Sequence, residues 1–326
     1  MPRALVTGAT GLVGANVVEA LNKAGWQVRV LRRSTSRMDA LEGLTYEAVV
    51  GDILDESSLV DALAGVDVVF HVAGAADHWR SGPERMYRIN VEGTRHVVAA
   101  ALQAGVSRLV YTSSLAAVGP APDPLHPVDE RQTFNLPPEK FPYGHSKWLA
   151  EQEVQNGVAQ GLDAVIVNPS IVIGPRDSHM TTGSLFKSMR RGMPVVPRGG
   201  SGVVDARDVA QGHLLAAEHG RTGERYILNG ANLSHMELAR IVSRVLEVPP
   251  PRLELPPWSV RPVALVLDVL WALGVRLPAR GDTLRLGTYW FYARNDKSRQ
   301  ELGLEYHSIA QAVEDAIGWL RRQGKL

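Results

Sequence analysis

The chain has 326 residues, which is enough for one large α/β unit or for two domains with sizeable cores. Its content of 45% hydrophobic and 21% charged residues is ordinary for a globular protein. The 35 basic and 34 acidic side chains leave a net charge of +1, so no overall field favours nucleic acid or an acidic partner.

The sequence contains no cysteine, which excludes disulfides, thiolate nucleophiles and thiolate metal sites. The ten histidines lack the spacing of metal ligands, and we expect no metal site. The first predicted strand begins a few residues after Met1, which leaves no room for a signal peptide. The longest apolar stretch, residues 258–275, is interrupted by charged residues, proline and glycine, and is a poor membrane span. Together these features favour a cytoplasmic protein without a transmembrane segment.

Three glycines at three-residue intervals follow the first predicted strand, an apolar run at residues 4–6. Gly8 permits a tight turn, and a side chain at Gly11 would keep a pyrophosphate away from the backbone. Gly14 allows the helix that begins near Val17 to pack closely on the strand, and free N–H groups at the start of that helix attract phosphate. The pattern predicts a dinucleotide-binding turn, although a glycine-rich turn in another kind of α/β protein would have the same spacing.

The end of the second predicted strand, residues 27–31, bears on the choice of cofactor. Proteins that bind NAD place an acidic side chain here to bind the ribose 2′-hydroxyl, whereas this chain has Arg32 and Arg33. A guanidinium suits a 2′-phosphate dianion and has no special preference for a hydroxyl. The sequence therefore favours NADP over NAD, and the alternative is a basic turn exposed to solvent.

Strands and helices alternate along most of the chain. The other predicted strands are one that ends at Ile53 and those at residues 67–73, 109–114, 163–167 and 225–228; the predicted helices span residues 87–104, 208–218, 235–246, 262–273 and 308–322, and one more begins at Tyr143. This alternation is typical of a doubly wound parallel sheet, which binds ligands at the carboxyl ends of its strands. Residues 118–142 are too rich in proline for regular elements and are expected to form an ordered excursion or a lid.

Tyr143 and Lys147 lie four residues apart at the start of a predicted helix, so both side chains share one face. Ser114 ends a neighbouring strand at the same edge of the sheet. A tyrosine is a useful general acid only if its pKa is lowered toward neutrality, and a nearby ammonium lowers it. The serine hydroxyl would supply a further donor to a substrate oxygen. A Tyr-x-x-x-Lys pair also occurs by chance in many helices.

Several further segments accompany these motifs in order: Phe-His-Val-Ala at 70–73, Met-Tyr-Arg-Ile-Asn-Val-Glu-Gly-Thr at 86–94, Asn-Pro-Ser at 168–170 with Gly-Pro-Arg-Asp at 174–177, and Val-Asp-Ala-Arg-Asp-Val-Ala at 204–210. With them, the chain resembles an extended short-chain dehydrogenase/reductase (the NAD-dependent epimerase/dehydratase superfamily) of the dihydroflavonol-reductase-like branch. It is also similar to hopanoid-associated sugar epimerases.

The resemblance implies that Ser114, Tyr143 and Lys147 are catalytic and that Asn90 supports them. Asn90 has apolar neighbours in the sequence and needs hydrogen-bond partners if it is buried. The implied site for NADP, with NAD as the alternative, comprises Thr7, Gly8, Thr10, Gly11, Leu12, Val13, Arg32, Arg33, Asp52, Ile53, Val72, Ala73, Gly74, Thr112, Ser113, Tyr143, Lys147, Pro169, Ile171 and Val172.

The expected fold is therefore α/β, a Rossmann-type doubly wound parallel sheet with a smaller C-terminal substrate-binding lobe. We expect residues 1–170 to form the dinucleotide-binding domain, with residues 203–230 returning to it. Residues 171–202 and 231–326 are expected to form the lobe. The sequence itself does not indicate an oligomeric state; extended members of the family often dimerise, so the resemblance is compatible with a homodimer.

Three functions are compatible with these residues. The favoured one is an NADP(H)-dependent reductase of a small or lipid-linked carbonyl compound. The second is a sugar-nucleotide epimerase or dehydratase that recycles tightly held NAD; Arg32 argues against it, as does Ser-Gly-Val at residues 201–203 in place of the Arg-Asp-Phe common in that group. The third, a non-catalytic NADP sensor, is disfavoured by the intact Ser114, Tyr143 and Lys147.

Two other polar residues are interpreted as structural. His145 points away from the Tyr143 and Lys147 face and is expected to be a solvated helix residue. Asp208 is expected to be a helix N-cap, and no cluster of metal ligands surrounds it and Asp205.

The substrate pocket is expected to involve residues 77–80, the proline-rich excursion, residues 173–185 and the segment around Trp258. The apolar residues between 258 and 275 predict a core helix of the lobe. The alternative is that part of this surface, with Trp258 and Trp79, lines an entrance for an apolar or polyisoprenoid-like carbonyl compound.

Overall fold

The computed structural model describes residues 1–76, 82–275 and 281–326. Its strands are β1 (Arg3–Thr7), β2 (Gln27–Arg32), β3 (Glu47–Val50), β4 (Val68–His71), β5 (Arg108–Thr112), β6 (Ala164–Pro169), β7 (Ile171–Ile173), β8 (Val195–Pro197), β9 (Gly200–Asp205), β10 (Arg225–Leu228), β11 (Ala231–Ser234), β12 (Leu253–Leu255) and β13 (Trp290–Phe291). Its α-helices are α1 (Leu12–Lys23), α2 (Glu56–Leu63), α3 (Pro83–Tyr87), α4 (Gly93–Ala104), α5 (Pro142–Ala159), α6 (Gly183–Arg190), α7 (Ala206–His219), α8 (His235–Leu246), α9 (Pro257–Ala272), α10 (Gly281–Leu286), α11 (Asp296–Leu302) and α12 (Ile309–Arg322).

The main sheet is parallel and has the strand order β3-β2-β1-β4-β5-β6-β10. Successive side chains of the central strand, β1, point to opposite faces of the sheet, because side chains alternate along a pleated strand. Ala4 and Val6 pack with α1 and α7, whereas Leu5 packs with α2, α4 and α5. Helices cover both faces, which explains why the central strands β1, β4, β5 and β6 are mostly apolar. The predicted Rossmann-type doubly wound sheet is confirmed.

A second, mixed sheet lies in the C-terminal part of the chain. Strand β9 pairs with β11 in antiparallel orientation and with β7 and β13 in parallel orientation. Strands β8 and β12 form a separate parallel pair. Helices α6, α8 and α12 pack on one apolar cluster with residues of these strands. Most of these strands are too short for a periodicity argument to predict. Our division at residue 203 falls inside β9, and it remains a proposal.

The proline-rich segment 118–142 is an ordered excursion. Its backbone is tied to the end of the lobe, because the N–H of Ala121 donates to the Trp290 carbonyl at 2.7 Å and that of Val128 to the Tyr292 carbonyl at 2.9 Å. Residues 118–121 are buried. These contacts anchor the segment to β13 and to the residue that follows it.

The prediction of a core helix at residues 262–273 is correct about the helix and wrong about its burial. A helix is present as α9, but among its residues only Val260 and Ala264 are buried, and most of the other apolar side chains are exposed. Its apolar residues run all round the helix, and sequence alone could not tell which side, if any, meets the core. No helix among the described residues has the length and apolar character needed to cross a membrane.

Candidate active site

The carboxyl ends of the central strands lie side by side. Thr7 is in register with Leu31 on one side and with His71 on the other, and His71 is in register with Tyr111. The glycine turn, the arginines after β2 and the serines after β5 therefore leave the sheet at the same edge, where ligands of such sheets bind.

The glycine turn is tightly packed at two positions and open at the third. Gly8 has a φ of +68°, and a Cβ on it would lie 2.6 Å from the backbone nitrogen of Ala73. A Cβ on Gly14 would lie 2.3 Å from the Gly8 carbonyl oxygen. A Cβ on Gly11 would meet only that same oxygen, at 3.5 Å. Helix α1 begins directly afterwards with no acidic residue in its first turn, and this geometry fits a pyrophosphate over Gly11.

His71 joins the ends of β1 and β4 to helix α4. Its Nδ1 lies 2.7 Å from the Thr7 hydroxyl, and its Nε2 lies 3.0 Å from the Thr94 hydroxyl. The ring is fully buried, and this burial, aided by the positive charge of Lys147, lowers the pKa of His71 to about 3. His71 is therefore a neutral structural link under the glycine turn, a role that the sequence did not reveal.

Asn90 occupies a π-helical turn, Arg88–Glu92, between α3 and α4. Its amide donates to the Ala75 carbonyl at 2.9 Å and to the Ser146 hydroxyl at 2.9 Å, and its oxygen accepts from the Ala75 N–H at 2.7 Å. The predicted need for partners is confirmed. Asn90 thereby fixes the loop after β4 against the helix that carries Tyr143 and Lys147.

The side chain of Lys147 is buried beside the carboxyl end of β5. Its Nζ donates to the Thr112 carbonyl at 2.7 Å and lies 4.5 Å from the centre of the Tyr111 ring. Burial lowers the pKa of Lys147 to about 7, and the nearby carboxylate of Glu151 opposes this shift. The ammonium is therefore held close to its titration point at neutral pH.

Glu151 was missed in the sequence, although it lies one helical turn after Lys147. Its side chain is buried and accepts from the Ser113 hydroxyl at 2.5 Å, from the Asn168 amide at 2.6 Å and from the Arg225 guanidinium at 3.0 Å. Burial raises the pKa of Glu151, and Arg225 is the strongest of the groups that oppose this shift. The spacing Tyr-x-x-x-Lys-x-x-x-Glu on one helical face was the signal that could have found it.

Tyr143 and Ser114 are hydrogen-bonded to each other through their side chains. Burial raises the pKa of Tyr143, and a hydrogen bond with the Ser114 side chain partly offsets the rise. The expected lowering by Lys147 is wrong for this site, because burial dominates and the Lys147 ammonium is directed at Thr112. Tyr143 is therefore protonated at neutral pH.

Some predicted cofactor residues are committed to other partners. The Thr112 hydroxyl lies 2.7 Å from His213 Nε2, and the Ser113 hydroxyl is bound to Glu151. Ile171 and Val172 belong to β7 of the second sheet. The remaining predicted residues that border the glycine turn or the carboxyl ends of the strands are Thr10, Leu12, Val13, Val72, Gly74 and Pro169.

Arg32 and Arg33 lie at the end of β2, half-buried and exposed respectively. Within the described parts of the chain, neither forms an ion pair with a carboxylate. Asp52 uses a side-chain oxygen to accept from the N–H of Leu54 at 3.0 Å, and Ile53 is buried against Gly93. The two guanidinium groups are thus available to an anion beside the glycine turn.

A row of half-buried aromatic rings runs outward from Tyr143. Its ring centre lies 6.3 Å from that of Phe141, which lies 5.5 Å from Phe291, which in turn lies 6.4 Å from Tyr289. The run of four aromatic residues at positions 289–292 could have indicated this wall in the sequence. Asp77–Arg80, which we expected to line the pocket, lie outside the described residues.

Two structural interpretations are corrected. His145 is not a solvated residue: it is half-buried, its Nδ1 lies 2.8 Å from the Tyr87 hydroxyl, and its ring stacks on Trp148. The N-cap of α7 is Asp205, which accepts from the N–H of Arg207 at 2.8 Å. Asp208 lies inside the helix and instead accepts from the backbone N–H of His307, at 2.8 Å.

Fold and site together define a dinucleotide-binding α/β enzyme of the Rossmann type, and comparison with known proteins identifies its family. Residues 4–229 match the model of the NAD dependent epimerase/dehydratase family. The chain belongs to this family and is an NAD(P)-dependent enzyme of the extended short-chain dehydrogenase/reductase type.

Curated relatives and solved structures agree with this assignment. The chain is 41% identical to a putative dihydroflavonol 4-reductase of Synechocystis sp., over 98% of this chain and 94% of the relative. It is 34% identical to sterol demethylase protein B of Methylococcus capsulatus, over 99% of both chains. The crystal structure of gox2253 superposes with a TM-score of 0.88 at 38% identity, covering 100% of both chains. That of PA4631, a nucleoside-diphosphate-sugar epimerase from Pseudomonas aeruginosa, does so with a TM-score of 0.83 at 30% identity, covering 100% of this chain and 99% of the other.

Substitution of the open Gly11 and of the tightly packed Gly14 should cause different defects. Gly11→Ala should fold with an unchanged melting temperature, because its Cβ has room, yet bind a nicotinamide dinucleotide at least about tenfold more weakly. Gly14→Ala should lower the melting temperature by several degrees as well, because its Cβ would overlap the Gly8 carbonyl. Thermal unfolding and fluorescence titration measure both, with Gly318→Ala on α12 as the control. Wild-type dinucleotide affinity in Gly11→Ala would contradict this interpretation of the turn.

Proposed function

We propose that this protein is an NADP(H)-dependent reductase of an apolar carbonyl compound. The observation that carries the proposal is the pairing of a protonated, half-buried Tyr143 with Ser114 at the end of an aromatic wall, close to the buried Lys147. We also propose that it acts in the cytoplasm, as a homodimer.

The glycine turn and the first N–H groups of α1 would hold the pyrophosphate, and Arg32 with Arg33 would hold a 2′-phosphate. Gly74 lies next to Lys147, since a Cβ there would be in ordinary contact with Nζ at 3.5 Å. We expect Lys147 to contact the nicotinamide ribose. A nicotinamide cofactor bound in this way supplies the hydride for reduction.

Tyr143 has the proton that a reduction consumes. A carbonyl oxygen placed between Tyr143 and Ser114 would accept hydrogen bonds from both hydroxyls as its negative charge grows. Tyr143 then donates its proton to that oxygen.

The substrate class follows from the wall of the site. Phe141, Tyr289 and Phe291 present aromatic surface beside Tyr143. One of the two curated relatives is named for a dihydroflavonol and the other for a sterol, and both of these compounds are polycyclic. These points support a flat or polycyclic carbonyl compound.

The alternative is a sugar-nucleotide epimerase that retains NAD. The name of the Pseudomonas structure favours it. Arg32 argues against it, because a guanidinium at the end of β2 favours a 2′-phosphate over a 2′-hydroxyl.

Cofactor preference tests the role of Arg32. We expect NADPH to bind at least about tenfold more tightly than NADH, roughly 1.4 kcal/mol, and Arg32→Asp to abolish or reverse this preference. Fluorescence titration with both cofactors measures it, with Arg37→Asp as a control on the same loop. Equal affinities in the wild type, or tightly bound NAD in the purified protein, would instead support the epimerase.

Tyr143→Phe tests the general acid. The ring and its packing remain, so the melting temperature and NADPH affinity should stay near those of the wild type, while turnover falls by about a hundredfold or more because the proton is lost. The assay is NADPH oxidation with aldehydes, ketones and nucleotide sugars tested side by side. Near wild-type turnover in Tyr143→Phe would show that the acid is another group, and turnover limited to nucleotide sugars would overturn the apolar substrate.

A further inference from the structure

The Gly-Pro-Arg-Asp segment at residues 174–177, which the proposed chemistry does not use, has an unusual backbone. Arg176 has a φ of +73°, a left-handed conformation that residues other than glycine rarely adopt. Met180, four residues later, has a φ of +57°. In the described parts of the chain the one other such residue that is not glycine is Glu247, which ends α8. Strained residues of this kind persist only where other contacts hold them, and they concentrate at functional sites.

Hydrogen bonds fix this segment between α1 and α6. The carboxylate of Asp177 is buried and accepts from the N–H groups of residues 181–183, at distances from 2.7 to 3.0 Å. The Pro175 carbonyl accepts from the side-chain amide of Asn16, which lies in α1, at 3.0 Å. The backbone on both sides of Arg176 is therefore held in place beside the helix that follows the glycine turn.

The side chain of Arg176 reaches from this segment to the loop that follows β2. Its Nε donates to the carboxylate of Glu19 in α1 at 2.7 Å. Its Nη1 donates to the carbonyl oxygens of Ala40 at 2.7 Å and of Glu42 at 3.2 Å. The side chain is 15% exposed, so these bonds are largely shielded from water. One guanidinium thus connects α1 with the far end of the loop that begins at Arg33.

This loop carries the cations that we assign to the 2′-phosphate. Strand β2 ends at Arg32, and the next three residues are exposed. Arg33 and Ser36 are joined by two hydrogen bonds of 3.0 and 3.1 Å. A short helical turn, Asp39–Leu41, follows, and two of its three residues are buried. The exposed part of the loop is therefore held at one end by β2 and at the other by the turn that Arg176 binds.

We propose that Arg176 is a positioning residue for the cofactor, which holds the loop after β2 so that Arg32 and Arg33 face a 2′-phosphate. A guanidinium suits this role, because its rigid fork can bind a carboxylate and two carbonyl oxygens at once. Arg176 acts through the loop, since its own Nε and Nη1 are already bound. The inference rests on the proposed function, in which this loop binds the phosphate that distinguishes NADPH from NADH.

The variant Arg176→Gln tests the proposal in the full chain, with Arg108→Gln as a matched control. Glutamine removes the charge and the fork and leaves a residue other than glycine at the left-handed φ. Arg108 is 17% exposed and likewise donates to a carboxylate, that of Asp163, and to two backbone carbonyls, but it lies at the amino end of β5. Both variants should have similarly lowered melting temperatures, because each loses the same kinds of bond.

Fluorescence titration of both cofactors measures the role in binding. Arg176→Gln should bind NADPH at least about tenfold more weakly and NADH within about twofold of the wild type. A contact that merely stabilises the fold would weaken both cofactors alike. Arg108→Gln should bind both cofactors like the wild type.

Hydrogen exchange in the ligand-free protein tests the loop directly. The backbone amides of Arg33, Ser36 and Leu41 donate hydrogen bonds within the loop and its turn. They should exchange at least about fivefold faster in Arg176→Gln, because the end of the loop has lost its tie. Their exchange should be unchanged in Arg108→Gln.

The outcomes separate this inference from the proposed function. If the wild type binds NADPH and NADH equally, the NADP assignment fails, and the positioning role fails with it. If the wild type prefers NADPH and Arg176→Gln keeps that preference, or weakens both cofactors alike, the positioning role is refuted and the proposed function stands. A lost preference with unchanged exchange also refutes it, because Arg176 would then act on the phosphate itself, and so does an equal loss of preference in Arg108→Gln.

Discussion

The buried ammonium of Lys147 is the constraint on which the rest of the site depends. A charge removed from water needs close partners, and the fold provides the Thr112 carbonyl, the Tyr111 ring and the carboxylate of Glu151. Glu151 in turn is held by Ser113 just after β5, by Asn168 near the end of β6 and by Arg225 at the start of β10. One side chain of the helix thereby ties together three neighbouring strands of the main sheet.

The same burial sets the resting state of the site. It raises the pKa of Tyr143 and lowers that of Lys147 to about 7, so before any ligand binds Tyr143 is protonated and Lys147 is close to its titration point. A phosphate-bearing cofactor and the growing charge on a substrate oxygen would both favour the charged form of Lys147. The charge on Lys147 at the carboxyl edge of the sheet would thus respond to binding, and under the proposed function the aromatic wall would select an apolar compound.

Much of this arrangement could be predicted from the sequence because it depends on local pattern. The apolar strands, the glycine turn and the Ser234 cap of α8, which forms a full capping box, follow from rules that span a few residues. Contacts between distant segments could not be predicted. The role of Glu151 depends on Arg225, which only the complete fold brings beside it. The role of Tyr289 likewise depends on the excursion at 118–142, which brings Phe141 to β13. Helix α9 was misjudged because apolar periodicity shows a face without showing what covers it.

The most direct test of this account is a titration of Lys147 itself. NMR of protein with ¹³C-labelled lysine, with Lys147→Arg to assign the signal, reports the charge on Nζ as the pH is raised. We expect a midpoint at about 7 in the ligand-free wild type. The midpoint should be lower still in Glu151→Gln, because the carboxylate that favours the ammonium is gone, and unchanged in Glu153→Gln, which lies on the same helix and pairs with Arg95. A midpoint near 10.5, the ordinary value for lysine, or one that Glu151→Gln leaves in place, would contradict the account.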